Sequence, residues 1–271
     1  MGPIVTAATQ AALPVGAIIV QVESAGVDQA AQAYEAGHLP GARLVDRDRL
    51  TAASMRQGDG RHPLPSPQAF AQGLSQAGIG WNDTVVAYDR EQGASAGRLV
   101  YLLRILGQAA ALLDGGLGGW DGALETGPPP PVEPVDHQPR PWPVDRLVDA
   151  DAVWNHVHNG GVVLDARAAP RFRGETEPLD PVAGHIPGAV NAPYVDNLDG
   201  QGLFRAPPKL HSRYQPLGAD EQSIVYCGSG VSACHDLLAI EHAGLGLPRL
   251  YVGSWSQWCR DEDRPVATGP A

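Results

Sequence analysis

The chain has 271 residues, enough for one large or two ordinary domains, and a formal net charge of −11. That charge argues against nucleic acid and anionic membrane surfaces as partners. No run approaches the ~18 apolar residues of a membrane span, and the N-terminal apolar stretch lacks a basic start, so no signal peptide is expected. Cys227, Cys234 and Cys259 are too few, and odd in number, for a disulfide framework, which points to a reducing, cytoplasmic setting.

In chain order, the first strand is expected from Ala17 to Val22. GHLPGA at 37–42 is a loop leading to a short strand near 42–45. Ser66-Pro67 supplies an N-cap and a proline at the first helical position, for a helix reaching about Gln76 with Gly78 as its stop. A strand at Thr84–Tyr88, a helix at Ala94–Leu106 and a strand at Ala110–Leu113 follow. Residues 127–143 contain four consecutive prolines, Pro128 to Pro131, and suit an extended linker rather than a core. The second half reads as helix Ala150–His158, strand Val162–Asp165, loop and strand over 184–191, helix Pro208–Tyr214, strand Ser223–Tyr226, helix Val231–Ala243 and strand Arg249–Val252.

The halves echo one another. GHLPGA at 37–42 matches GHIPGA at 184–189, the strand ending in Tyr88 matches the one ending in Tyr226, and DGGLGGW at 114–120 falls opposite VGSWSQW at 252–258. A period this long is a tandem duplication of one domain, not a solenoid unit. Alternating strands and helices predict an α/β protein of two similar domains, each a mostly parallel sheet with helices on both faces. The expected boundaries are 1–126, a Pro-rich linker at 127–145, and 146–271.

The most informative stretch is Ser223 to Gly244. A β-rich run ends in Cys227, the small-residue loop Gly228-Ser229-Gly230-Val231-Ser232-Ala233 follows, and a helical pattern begins. A thiol between a strand and a helix faces backbone N–H groups that lack intrahelical partners, and the helix dipole favours an anion there. The Cys227 thiolate is therefore expected to be favoured. In an open α/β sheet such a loop lies beyond the carboxyl ends of the strands, where ligands bind.

CGSGVSA at 227–233, with GHIPGA before it and GSWSQW at 253–258 after it, resembles the active-site region of the rhodanese superfamily of sulfurtransferases, in the form seen in 3-mercaptopyruvate sulfurtransferases. The half-length repeat extends the resemblance over nearly the whole chain. It implies two tandem rhodanese-like domains, a Cys227 persulfide, no cofactor, a small anionic sulfur donor, and a thiol or cyanide acceptor. Opposite Cys227 the first half has Asp89, which cannot carry a sulfane sulfur, so that copy is expected to be an inactive scaffold forming one wall of a cleft. Arg61, His62, Leu64 and Pro65 are candidates for that wall.

The resemblance places the substrate-binding arginine at Arg171, in the RF pair of Arg171-Phe172. Arg167 is a further candidate, with a salt bridge to Asp165 or Glu175 as its structural alternative. The donor is expected to meet these arginines and the loop residues Gly228, Gly230, Val231 and Ser232. A proton relay of Ser229, His38 and Asp28 is implied by the mercaptopyruvate-type relatives, whereas His185 is read as a turn cap. The chain departs from those relatives at Glu177-Pro178-Leu179-Asp180-Pro181, where a further basic residue is usual and none stands here. Thiosulfate-preferring members usually carry basic residues directly after the cysteine, and Gly228 and Ser229 are neutral. Mercaptopyruvate is thus the expected donor, with thiosulfate, or a role as persulfide carrier for a protein partner, as alternatives. A cysteine phosphatase would need an arginine six residues after the cysteine, where Ala233 stands. Cys234 and Cys259 read as structural, and no His/Cys cluster has metal-ligand spacing.

Overall fold

The computed structural model describes residues 1–6, 10–24 and 26–270. They divide into two compact units. The first comprises Met1–Ala53, Leu64–Trp142 and Gly200–Leu203, and the second Ser54–Pro63, Pro143–Asp199 and Phe204–Ala271.

In the first unit the strands are β1 (Ile4–Val5), β2 (Ile18–Glu23), β3 (Arg43–Asp46), β4 (Val85–Tyr88) and β5 (Ala110–Leu113). They form one parallel sheet in the order β1-β5-β4-β2-β3. The helices are α1 (Val27–Ala36), α2 (Arg47–Thr51), α3 (Pro67–Gln76) and α4 (Ala96–Ile105). Ser66 caps α3 by accepting from the Ala69 N–H at 3.1 Å, as its Ser-Pro start requires. Every residue of β4 and β5 is buried, as expected for central strands covered on both faces. The proline stretch is more than a tether. Val135 exchanges hydrogen bonds with Ser75, His137 Nδ1 lies 2.9 Å from the Ile79 carbonyl, and Trp142 packs on Phe70.

In the second unit the strands are β6 (Leu147–Val148), β7 (Val163–Asp165), β8 (Val190–Asn191), β9 (Ile224–Tyr226) and β10 (Arg249–Tyr251), again parallel, in the order β6-β10-β9-β7-β8. This is the permutation of the first sheet, so the repeat seen in sequence is a repeat of topology. The helices are α5 (Ala150–His158), α6 (Ala169–Phe172), α7 (Pro207–Tyr214), α8 (Ala233–His242) and α9 (Ser254–Trp258). Val153, Val163, Phe172, Ile186, Ile224, Trp255 and Trp258 form the centre of its core. α8 starts two residues later than the sequence pattern suggests, which leaves Gly228 to Ser232 as a free-standing loop between β9 and the helix. Among the described residues no helix is long and apolar enough to cross a membrane.

Candidate active site

Cys227 follows the last residue of β9 and is 2% exposed. Its backbone is fixed by the segment that carries α9. The Cys227 N–H donates to Ser254 Oγ at 3.2 Å, the Cys227 carbonyl accepts from Trp255 N–H at 2.9 Å, and the Gly228 carbonyl accepts from Ser256 N–H at 2.9 Å. GSWSQW is therefore the strap that sets the loop. Ser254 sits at φ 51°, a left-handed conformation costly for a non-glycine residue, at the point where the strap meets the cysteine. Gly230 turns the loop at φ 75°. The Cys234 thiol, on the buried side of α8, donates to the Gly230 carbonyl at 3.5 Å. Ser229 is nearly buried, at 7% exposure.

Arginines dominate the surroundings. Arg171 donates through Nε and Nη2 to Glu177, at 3.1 and 2.6 Å, and its Nη2 lies 3.6 Å from Asp180. Arg61 pairs with Asp180 through Nη1, and its backbone N–H donates to Ser256 Oγ at 3.0 Å. A β-carbon built on Gly228 would stand 2.8 Å from Arg61 Nη2 and 3.5 Å from both terminal nitrogens of Arg171. Both guanidiniums thus lie at the residue after the cysteine. Burial pushes the Glu177 carboxyl up, but hydrogen bonds from Arg171 and from the N–H groups of Leu179 and Asp180 outweigh it and leave the pKa below the usual range.

The other sequence candidates take different places. Arg167 is 3% exposed and spent on structure: it holds both oxygens of Asp165, the Gly184 carbonyl and Glu177. Its second acidic partner is Glu177, not Glu175, which pairs with Arg173. His38 is buried in the first unit, stacked on Tyr34 with ring centroids 3.7 Å apart, and its Nδ1 lies 2.9 Å from the Tyr34 carbonyl. His185 repeats this in the second unit, stacked on Phe172 at 3.7 Å with Nδ1 2.7 Å from the Phe172 carbonyl. His38 and His185 thus make matching contacts at matching turns. The acid near it is Glu125, at 3.8 Å, and Asp28 is an exposed residue of the first turn of α1. Arg61 and His62, assigned above to a first-domain wall, belong to the second unit, because segment 54–63 packs there; Leu64 and Pro65 stay with the first.

The first unit shows what became of the matching loop. Asp89 follows β4 as Cys227 follows β9, and its carboxylate fills the cradle. One oxygen accepts from the N–H groups of Glu91 and Gly93 at 2.8 Å each, and the other from Ser95 and Ala96 at 2.8 and 2.7 Å. Four backbone N–H groups of that loop thus converge on one carboxylate.

The profile of the Rhodanese-like domain matches this chain twice, over residues 24–123 and 149–261. The chain belongs to the rhodanese family. It is similar to the human 3-mercaptopyruvate sulfurtransferase, 36% identical over 243 residues that cover 85% of this chain and 80% of the human one. A Mycobacterium tuberculosis protein provisionally named a thiosulfate sulfurtransferase is 39% identical over 249 residues, covering 88% and 86%. The solved 3-mercaptopyruvate sulfurtransferase from Leishmania major superposes with a TM-score of 0.80 at 30% identity, covering 93% of this chain and 72% of that one. This rhodanese-family chain is thus a sulfurtransferase with two rhodanese-like domains, each a parallel sheet with helices.

Proposed function

We propose that this sulfurtransferase takes a sulfane sulfur from 3-mercaptopyruvate and passes it to a thiol or cyanide through a persulfide on Cys227. The observation that carries the reading is the convergence of Arg61 and Arg171 on Gly228, the residue after Cys227. The Cys227 thiolate attacks the donor sulfur. The donor carbon–sulfur bond breaks with its electron pair left on carbon, giving pyruvate enolate, and the proton of the donor thiol balances the enolate as it becomes pyruvate. An acceptor thiolate then attacks the outer sulfur, and the Cys227 thiolate leaves. The loop N–H groups stabilise the cysteine sulfur whenever it carries charge.

The enolate needs a nearby proton donor. His62 follows Arg61 on the segment whose Arg61 lies over Gly228, and it takes that role in place of His38, with Ser229 of the loop as the hydroxyl between. Arg61, Arg167, Arg171 and Arg260 stand against Asp165, Glu177 and Asp180, which leaves one positive charge in the cluster. One charge suits a keto-acid carboxylate better than dianionic thiosulfate. Thiosulfate is the second reading, favoured by the arrival of a second guanidinium at a loop that is itself neutral. Steady-state kinetics with both donors decides between them. The expected result is a kcat/KM for 3-mercaptopyruvate about ten- to a hundredfold above that for thiosulfate, the size of one well-placed charge contact. A higher value for thiosulfate reverses the assignment.

A further inference from the structure

α9 holds two parts of the chain at once. Its backbone holds the Cys227 loop, through Trp255 N–H on the Cys227 carbonyl and Ser256 N–H on the Gly228 carbonyl, both at 2.9 Å. Its side chains hold a segment from far away in sequence. Ser256 Oγ accepts the Arg61 N–H at 3.0 Å, and Gln257 Nε2 donates to the Gly58 carbonyl at 2.8 Å. Between those two points Gly60 packs directly on the turn that starts the helix, and a β-carbon built on it would collide with the Gly253 carbonyl oxygen. Backbone meets backbone there, with no space for a side chain. Residues 58–61 are thus seated on the helix that sets the loop, and Arg61 Nη2 lies over Gly228 from that seat.

Ser256 joins the two parts. It is fully buried, and each of its polar atoms is used. Its N–H is on Gly228, its hydroxyl donates to the Gly253 carbonyl at 3.1 Å while accepting from Arg61, and its carbonyl accepts from Arg260 Nη1. A hydroxyl has one proton to give and the Arg61 N–H can only donate, so the direction of both bonds is fixed. The repeat separates what the fold needs from what it does not. DGGLGGW at 114–120 stands opposite VGSWSQW at 252–258, so Gly118 and Gly119 match Ser256 and Gln257. A backbone bond to the loop recurs in the first unit, where Leu117 N–H donates to the Asp89 carbonyl at 2.9 Å. The side chains that seat residues 58–61 do not recur, since two glycines stand in their place. The hydroxyl and the amide thus belong to the unit that has Cys227.

We propose that Ser256 is a positioning residue for sulfur transfer: its N–H fixes the Cys227 loop and its hydroxyl seats residues 58–61 on the same helix, so that the segment carrying Arg61 and His62 meets the loop in one register, with Gln257 as the second hook. That this segment acts on the donor rests on the sulfur-transfer reading above; the seating rests on the geometry alone.

The test separates the seat from the loop. Ser256→Ala removes the hydroxyl and keeps the N–H on Gly228. In a ping-pong reaction, kcat/KM for the donor reports the donor half-reaction, and kcat/KM for the acceptor reports the other. With 3-mercaptopyruvate and a thiol, Ser256→Ala should lower kcat/KM for the donor about five- to thirtyfold, the weight of one buried hydrogen bond. It should leave kcat/KM for the thiol within about threefold of wild type. Ser256→Thr, which keeps the hydroxyl, should recover most of the loss. Gly60→Ala, which wedges the segment off from its own side, should reproduce the split, and serves if Ser256→Ala does not fold. Tryptic cleavage after Arg61 in the native full chain should rise by the same factor in Ser256→Ala and in Gln257→Ala, because cleavage follows the population of the open segment. A folded Ser256→Ala protein with wild-type kcat/KM for the donor overturns the proposal, and so do equal losses in both half-reactions. Faster cleavage after Arg61 in Ser256→Ala, where the wild type does not turn over 3-mercaptopyruvate, supports the seating and overturns the donor assignment instead.

Discussion

Arg61 Nη2 stands 2.8 Å from the point that a β-carbon on Gly228 would occupy. The residue after Cys227 has no room for a side chain while Arg61 keeps its place. Gly228 does not need glycine for its backbone angle, since its φ is not positive; what it supplies is space. Gly228→Ala is therefore expected to fold normally and to displace the Arg61 guanidinium. The melting temperature should shift by no more than a few degrees, while KM for 3-mercaptopyruvate rises about tenfold, roughly one charge-assisted contact. Unchanged kinetics in Gly228→Ala would show that Arg61 has no part in binding.

The Asp89 carboxylate accepts four backbone N–H groups in the unit that has an aspartate where the other has Cys227. Asp89→Ala leaves those donors buried and without their acceptor, a loss on the order of 3 kcal/mol. Chemical denaturation should register that drop. Purified folded enzyme should keep its kcat/KM, because Cys227 lies in the other unit. A variant as stable as wild type would mean that the cradle has no stake in the fold.

Asp236 lies in the first turn of α8, fully buried, with Asn197 Nδ2 and Tyr214 OH donating to its Oδ1 at 2.7 and 3.0 Å. Burial pushes its carboxyl up to about 7, against the pull of Arg213 and the two hydrogen bonds. In the unfolded chain the group titrates near about 3.9. The folded state binds the extra proton between those values, so this group's contribution to stability is complete below about pH 4 and declines as pH rises to about 7. Asp236→Asn lacks the titration. The stability of wild type relative to Asp236→Asn should fall across that window and level off above it, as followed by urea melts at several pH values. A difference independent of pH would show that Asp236 is ionised throughout.

The duplication was legible because its marks are local. The strand-ending tyrosines and the GH-x-PGA turns recur in both halves, and Tyr88 and Tyr226 accept the N–H of Leu39 and Ile186 in the same way. The same recurrence puts His38 and His185 at matching turns, each stacked on an aromatic ring and set against a backbone carbonyl. The short helices α2, α6 and α9, of four or five residues, were not legible, since they are too brief to show a helical period. α1 escaped because Gly26 offers no side-chain cap to mark its start. Arg61 was legible as a candidate for the wall of a cleft, but not as a residue of the second unit. Its role depends on Asp180 and Gly228, both more than a hundred positions away, and no local pattern encodes such a meeting. The absence of a basic residue from Glu177 to Pro181 was legible, but it did not say which arginine reaches the loop.

The proposed reaction requires Cys227 to carry the sulfur. The most direct measurement is mass spectrometry of the intact protein after 3-mercaptopyruvate is added without an acceptor, with the modified peptide located by digestion. The expected result is one added sulfur atom, on Cys227, with one pyruvate released per chain, removal of that sulfur by cyanide, and none of this in folded Cys227→Ser; Cys234→Ser and Cys259→Ser should load as wild type does. Sulfur found on Cys234 or Cys259, or turnover in Cys227→Ser within a few fold of wild type, would contradict it.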